Sequence, residues 1–352
     1  MYWLVVWTSL VTWCEAASKF PDGFQFGAAT SAYQVEGAWN ASDKSPSIWD
    51  VYVHENPSSI ADHSNGDVAC DSYHLWKKDI ALARTLRLNF YRLYEKKFRD
   101  KYKGQVGLTD QHVWYEPKTP GQERNAQLAR DLSELYTFPI FSDIGGWPPN
   151  IEFIIAKNSR AQKYSSSRLP AFTEEEINLV KGSADFFGVN YYTSRLVEEA
   201  CHHGQILVWP FSGSRELNLV FSSDPTWQPC YDWLVSYPPG IRRLMKSLTE
   251  RYGNIEIKIF ENGFGTSDTS INDTMRVQYI KDHLEQILLS IREDGVNVTA
   301  YTAWSLIDNF EWRSGYKPRF GIVHVDYNDP KLKRTARASA CYYADVIKKR
   351  EV

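Results

Sequence analysis

Short apolar or aromatic segments alternate along the chain with longer segments whose apolar residues recur at helical spacing. This alternation predicts strands linked by helices, which is typical of a parallel α/β sheet or barrel. No internal repeat, low-complexity tract or linker divides the chain, so we expect one domain over residues 17–352. The predicted strands cover residues 24–30, 88–92, 106–113, 186–192, 255–260 and 299–306.

The clearest helical pattern covers residues 274–292, where apolar residues recur every four positions at Ile280, Leu284 and Leu288. Asn272-Asp273-Thr274 supplies a cap at its start. Further helices are predicted at 122–135 and 173–181, and the second of these opens with Thr-Glu-Glu-Glu, a favourable first turn.

Composition excludes some classes of partner. The 352 residues include 40 basic and 43 acidic side chains, for a net charge of −3, and no basic patch or arm is present. Nucleic acids and anionic membranes are therefore poor candidates as partners. Aromatic residues make up 14% of the chain, with 13 Trp. These rings fit a well-filled core or a site that packs against sugar rings, and composition alone does not choose between the two.

Residues 1–16 are interpreted as a signal peptide, because an apolar run is followed by small residues around position 16. The run is too short for a membrane anchor, so we expect a secreted protein without a membrane span. Asn40, Asn272 and Asn297 each begin an N-glycosylation sequon, which supports export. The oligomeric state is left open.

Four cysteines remain after the signal peptide: Cys70, Cys201, Cys230 and Cys341. A Cys201–Cys230 disulfide across one loop and free buried thiols are both compatible with the sequence. Cys201-His202-His203 has no spaced partner, so no metal site is expected. No cofactor is expected either.

Polar residues that suit a sugar site follow several of the predicted strands. They occur at Gln34, at Asn190, at Glu261-Asn262-Gly263 and at 308–312. Strand ends of a β/α barrel carry its chemistry, and sugar hydroxyls need carboxylate and amide partners beside aromatic surfaces. A single carboxylate at a strand end could equally be structural, but the combination indicates a carbohydrate site.

At these residues the chain resembles glycoside hydrolase family 1, the β-glucosidases and their myrosinase relatives. The resemblance rests on Phe24-Gln-Phe-Gly-Ala-Ala-Thr-Ser-Ala-Tyr-Gln-Val-Glu-Gly-Ala38 and on Thr302-Ala-Trp-Ser-Leu-Ile-Asp-Asn-Phe-Glu-Trp312, and it covers nearly the whole mature chain. It implies a (β/α)8 TIM barrel, hydrolysis of a small-molecule β-glycoside with retention, and no cofactor.

The resemblance also implies roles for individual residues. Glu261 would be the nucleophile, supported by Arg92, Tyr192 and Asn190. The substrate-binding residues would be Gln34, Trp304, Glu311, Trp312 and Phe320. The assignment of the nucleophile is physically reasonable, because the cation of Arg92 and the hydroxyl of Tyr192 would favour the ionised form of Glu261. A structural salt bridge of Arg92 would look the same in sequence. Phe260 stands where the family usually has Thr, and strand alternation predicts that it points away from Glu261.

The larger departure is a missing segment after Arg92. The family continues there through strands three and four, with a Thr-Phe-Asn-Glu-Pro motif that carries the general acid/base. Here Arg92 runs directly into Leu93-Tyr94-Glu95, and no Asn-Glu-Pro occurs anywhere in the chain. We therefore expect an incomplete barrel that lacks about two βα units, since one βαβ unit needs roughly 30 residues.

Chemically, this leaves one carboxylate of the pair that retaining glycosidases hold about 5–5.5 Å apart. Glu95 and Glu116 are the nearest substitutes in sequence, and neither is expected to serve as the acid. The sequence predicts a β-glucosidase-like hydrolase with impaired activity. A sugar-binding pseudoenzyme and a truncated isoform or gene-model product are the alternatives.

Overall fold

The computed structural model describes residues 19–42, 44–92, 104–200 and 214–352, with the backbone alone for Arg92, Ser214 and Arg215. The predicted signal peptide, Glu95 and Cys201 lie outside these ranges. Within them the strands are β1 Gln25–Ala29, β2 Phe90–Arg92, β3 Gly107–Pro117, β4 Phe186–Glu199, β5 Leu219–Ser222, β6 Gln228–Pro229, β7 Val235–Ser236, β8 Ile257–Asn262, β9 Val298–Trp304, β10 Val323–Val325 and β11 Arg334–Ala336.

The helices in the same ranges are α1 Ala32–Val35, α2 Ile48–Glu55, α3 Ser72–Thr85, α4 Glu123–Ser133, α5 Phe138–Phe141, α6 Pro149–Ala161, α7 Glu174–Val180, α8 Ser214–Leu217, α9 Pro238–Tyr252, α10 Thr274–Arg292 and α11 Ala338–Lys349. Short 3₁₀ turns lie at Pro57–Ser59 and Trp312–Ser314. No described helix is long and apolar enough to cross a bilayer.

Each predicted strand and helix has a counterpart in the structure. The bounds of α10 are those predicted, and Thr173 caps α7 in a reciprocal capping box with Glu176. Asp273 is the N-cap of α10, but its side chain makes no cap bond and instead accepts from Arg276 and Ser339. β4 runs seven residues past the predicted end at 192, because β3 continues to pair with it as far as Val197 and β5 pairs antiparallel with its last four residues.

The chain divides into two compact units. The first comprises the described residues of 19–92 together with 230–234 and 259–352, and the second comprises the described residues of 104–229 together with 235–258. β8 therefore begins in the second unit and ends in the first. A single barrel domain over 17–352 stays a prediction.

The first unit contains a parallel ladder in the order β2, β1, β9 and β8. Among the described residues, β2 pairs with β1 alone, so it is an edge strand of this ladder. α11 covers the ladder, and its Tyr343 donates a 2.8 Å hydrogen bond to the carbonyl oxygen of Gly27 in β1. The ring of Tyr343 also meets Phe26 edge-on, so helix and strand share one aromatic core.

The second unit contains the parallel pair β3 and β4, whose register shifts between His112 and Trp114 at a bulge. α9 packs on this pair through Tyr252, whose ring stacks on Phe187 at 5.9 Å. The Tyr252 hydroxyl donates to Glu134 at 2.6 Å, and Arg251 reaches Asp131 at 2.8 Å. Buried charges are thus paired inside this unit.

Two of the cysteines can be assigned from the structure. Cys70 is a buried free thiol that donates to the Asp308 carbonyl oxygen at 2.9 Å, and Cys341 is an exposed free thiol. Burial raises the pKa of Cys70 to about 12, so this thiol stays protonated and unreactive. The Cys201–Cys230 disulfide stays a prediction, because Cys201 lies outside the described residues.

Candidate functional site

Glu261 lies at the end of β8 in the first unit and is half-buried. Side chains alternate along a strand, so Glu261 shares a side with Ile259, and Phe260 shares the opposite side with Asn262. Asn262 donates to the Tyr279 hydroxyl of α10 at 2.9 Å and accepts from the Tyr301 hydroxyl at 2.9 Å. The Asn262 side of β8 therefore faces α10, and Glu261 faces away from this helix.

The residue after Asn262 has to be glycine. A Cβ on Gly263 would lie 2.0 Å from the carbonyl oxygen of Trp304, a separation that is too short for any side chain. The chain therefore leaves β8 in close approach to the end of β9. The peptide bond that follows Trp304 is cis.

Gln34 joins the first strand's loop to the segment after β9. Its buried Nε2 donates to Asn309 Oδ1 at 2.9 Å and to the Phe310 carbonyl oxygen at 2.8 Å. The same nitrogen lies 3.4 Å from Glu311 Oε2, and Trp304 Nε1 donates to Glu311 Oε1 at 3.3 Å. Three predicted substrate-binding residues thus converge, although they come from positions 34, 304 and 311 of the sequence.

Glu311 is half-buried as a residue, but its carboxyl group is enclosed by Gln34, Trp304 and Asn309. Desolvation raises the pKa of this carboxyl to about 8, against the lowering effect of the Trp304 hydrogen bond. The negative charge of Glu261 is a smaller contribution to the same rise. Gly263, two residues after Glu261, lies against the carbonyl oxygen of Trp304, and the Glu261 charge acts on Glu311, so we assign Glu261 to the same region of the first unit.

Asp308 holds the segment that carries these residues. It forms a fully buried pair with Arg337 at 2.8 Å and accepts from the backbone N–H of Gly321 at 3.0 Å and from His324 at 3.0 Å. Burial favours the neutral acid, but the bonds from His324 and Arg337 outweigh it and keep the pKa of Asp308 below its usual value. Sequence reasoning assigned no role to Asp308 or Asn309, although both stand in the motif that contains Glu311.

Trp312 and Phe320 frame this cluster in different ways. The Trp312 ring stacks on Tyr33 at 6.3 Å and lies 4.8 Å from Trp49, so it packs against aromatic residues from the N-terminal part of the chain. Phe320 is buried and packs on Gly265, where a Cβ would lie 2.5 Å from its ring. Sugar contacts by either residue remain predictions.

The predicted support for the nucleophile is placed only in part. Arg92 pairs with Ala29, which in turn pairs with Trp304, so the three backbones lie level across β2, β1 and β9. Asn190 and Tyr192 lie on β4 in the second unit, where Asn190 Oδ1 is enclosed without a hydrogen-bond partner. Their contact with Glu261 stays a prediction.

Glu116 does not have the surroundings of a general acid. It lies in β3 of the second unit, where Trp114 Nε1 donates to it at 2.8 Å and Arg243 forms an ion pair with it. Both partners contact Glu116 Oε1, so this side chain is already engaged in contacts within the second unit. Within the described ranges, no group of three His, Cys, Asp or Glu residues is placed to hold a metal.

Comparison with known proteins gives consistent matches. The profile of Glycosyl hydrolase family 1 matches residues 16–95 and 94–352. Human cytosolic β-glucosidase is 29% identical over 466 aligned positions, covering 94% of this chain and 98% of that protein. Myrosinase 1 of Brevicoryne brassicae is 27% identical, covering 94% and 98%. The solved structure of aphid myrosinase superposes with a TM-score of 0.87 at 26% identity, covering 95% of this chain and 100% of that one.

The matches also locate the missing segment. The profile match is split at residues 94–95, and the alignment with the human enzyme is 466 positions long for a chain of 352 residues. The relatives therefore have residues near this point that the chain lacks. The predicted loss after Arg92 agrees with the split, and the fold is an incomplete barrel of the TIM type.

Proposed function

We propose that this chain, which belongs to glycosyl hydrolase family 1, keeps the nucleophilic half of a retaining β-glycosidase and lacks its general acid. The observation that supports the proposal is the cluster of Glu261, Glu311, Gln34 and Trp304 in the first unit. It combines one carboxylate suited to attack with amide, carboxyl and indole groups suited to sugar hydroxyls.

The first chemical step needs no proton donor when the leaving group is a weak base. A Glu261 oxygen attacks the anomeric carbon, a carbon–oxygen ester bond forms, and the bond to the aglycone breaks with its electron pair on the departing oxygen. An acidic phenol can depart as the phenolate, which carries the negative charge without protonation. An ordinary sugar alkoxide needs protonation, which general acid catalysis usually accelerates about 10²–10⁴-fold.

The proposal therefore predicts a trapped intermediate and little turnover of natural glycosides. Incubation with an aryl 2-deoxy-2-fluoro-β-glucoside that carries an acidic phenol should leave a covalent sugar on Glu261, located by mass spectrometry of the digested protein. Glu261→Ala should abolish this adduct, whereas Glu285→Ala, at an exposed glutamate of α10, should keep it.

Two outcomes contradict this proposal. Folded protein without an adduct on Glu261 would remove the nucleophile. Rapid hydrolysis of cellobiose would show that another group supplies the proton.

A sugar-binding protein without catalysis is the second candidate. It is supported by the Gln34–Glu311–Trp304 arrangement, because hydrogen bonding to a sugar requires no acid/base residue. Glucose binding by calorimetry without any covalent labelling would favour it. A truncated isoform or gene-model product is the third, and a transcript with further coding sequence between the codons for Arg92 and Leu93 would establish it.

We also propose that the protein is secreted and glycosylated. The exposed positions of Asn40 and Asn272 support this, because an attached glycan has to project into solvent. Asn297 is half-buried beside β9, so it is the weakest of the three sites. A loss of mass at Asn40 and Asn272 on enzymatic removal of N-glycans from secreted protein would test the proposal.

A further inference from the structure

An open cleft of about 470 Å³ lies in the first unit, and its wall does not include Gln34, Glu261, Trp304 or Glu311. This volume falls within the range of about 300–1,000 Å³ that is typical of small-molecule sites. The wall contains one carboxylate, two cations and several hydroxyl groups, contributed by Asp62, Lys317, Arg319, Tyr231, Ser267 and Thr269.

The cleft is built by the loops that follow the two carboxylates of the candidate site. Ser267 and Thr269 come six and eight residues after Glu261, and Lys317 and Arg319 come six and eight residues after Glu311. Reciprocal backbone bonds join the two loops, from Arg319 N to Thr266 O at 2.7 Å and from Thr266 N to Arg319 O at 3.2 Å. The cleft therefore lies on loops that follow β8 and β9.

Asp62 is held in place at one wall. The backbone N–H of Tyr316 donates to its Oδ2 at 2.7 Å, and the backbone N–H of Ser64 donates to its Oδ1 at 3.1 Å. Gly315 has a φ of +62°, and a Cβ there would lie 1.9 Å from Asp62 Oδ1, so only glycine permits this approach. The Ser64 hydroxyl also donates to Oδ1, so of the about four hydrogen bonds that a carboxylate can accept, at most one remains for a ligand.

The opposite charges stand on the neighbouring loop. Lys317 uses one of its three N–H donors on the Ala61 carbonyl oxygen at 2.9 Å. The Arg319 guanidinium lies over the Tyr327 ring at 4.6 Å, and its enclosed Nη1 has no hydrogen-bond partner.

We propose that this cleft binds a sugar unit of an extended β-glycoside, as an accessory site separate from the Glu261 cluster. The assignment of a saccharide rests on the proposed function. The wall itself supports it, because hydroxyl groups donate to Asp62 and accept from Lys317 and Arg319 at the same time. A simple cation is repelled by the two basic residues.

The experiment titrates the whole chain with cellotriose, and separately with glucose, by saturation-transfer NMR. Cellotriose should bind more tightly than glucose. Lys317→Gln and Asp62→Asn should each weaken cellotriose binding about tenfold, the effect of losing one charge-assisted hydrogen bond, and leave glucose binding unchanged. Lys331→Gln, an exposed lysine outside this cleft, is the matched control and should change neither.

The two proposals can fail separately. Unchanged cellotriose affinity in both variants, no cellotriose binding at all, or binding of inorganic sulfate alone would overturn the accessory site. If the wild-type protein binds cellotriose but forms no adduct on Glu261, the assignment of the nucleophile is wrong and the accessory site stands. Thermal melts of Lys317→Gln and Asp62→Asn will show whether either variant loses cellotriose binding by unfolding. If Asp62→Asn is destabilised, the affinity of Lys317→Gln alone tests the accessory site.

Discussion

Glu311 illustrates at the residue scale how enclosure changes a carboxyl group that is ordinary in sequence. The Trp304 N–H favours its ionised form, but desolvation and the charge of Glu261 favour the neutral form and win. At neutral pH the carboxyl is therefore largely protonated in the absence of a sugar. A protonated carboxyl can donate one hydrogen bond, so it suits a sugar hydroxyl that accepts.

This raised pKa predicts a pH dependence of stability. The carboxyl ionises near 4.5 in the unfolded chain and near 8 in the folded protein, so between these values the folded state binds more protons. The free energy of unfolding attributable to Glu311 should therefore fall as pH rises from about 4.5 to 8. Glu311→Gln should flatten this fall in urea unfolding followed at pH 5 and pH 8.

The matched control for this measurement is Glu285→Gln. Glu285 is an exposed glutamate that faces Lys281 at 3.8 Å on α10, so its substitution should leave the pH dependence of wild type unchanged. Equal slopes for wild type and Glu311→Gln would contradict the raised pKa.

At the scale of elements, the buried Asp308–Arg337 pair joins the segment after β9 to the start of α11. Arg337 is the N-cap residue of α11, and besides Asp308 it bonds the Ser270 carbonyl oxygen at 3.1 Å. Three segments distant in sequence therefore depend on one guanidinium. The pair also positions the loop that holds Glu311.

Removal of one partner should be strongly destabilising, because the other charge would stay buried without compensation. Arg337→Ala is expected to cost about 3–5 kcal/mol of the free energy of unfolding, measured by chemical denaturation. Lys281→Ala, which breaks an exposed pair, should cost less than about 1 kcal/mol. A loss below about 1 kcal/mol for Arg337→Ala would show that the pair does not hold these elements.

At the scale of the whole molecule, α3 of the first unit carries exposed apolar side chains. Trp76 and Ile80 lie one turn apart on α3 and are 51% and 48% exposed. β2, the strand that follows α3, is an edge strand of its ladder. Exposed edges and apolar helix faces both promote aggregation, and a native domain has only about 5–15 kcal/mol of stability.

Replacement of this surface should improve the behaviour of the protein in solution. Trp76→Lys combined with Ile80→Lys should raise the soluble yield several-fold and lower the aggregated fraction in size-exclusion chromatography, because both side chains are already about half exposed. Thr85→Lys, at an exposed polar position of the same helix, controls for added charge. Equal yields from all three proteins would place the aggregation hazard elsewhere.

The order of the elements and the identity of the candidate residues could be read from the sequence, because both depend on local patterns. The spacing of Ile280, Leu284 and Leu288 predicts α10, and the predicted bounds agree with the structure. Glu261 could be identified because it follows a local apolar run, which does not depend on the tertiary structure. The missing segment could also be inferred from the sequence, because the motifs on either side of Arg92 are intact.

Only the tertiary structure decided how these residues act on one another. The ionisation of Glu311 depends on the desolvation that folding produces and on the charge of Glu261, which lies 50 positions earlier in the sequence. β4 extends past residue 192 because β3 and β5 both pair with it there, and the side chain of Asp273 bonds to Ser339 instead of capping its helix. Contacts over such separations leave no local pattern, since desolvation and pairing arise only when distant segments meet.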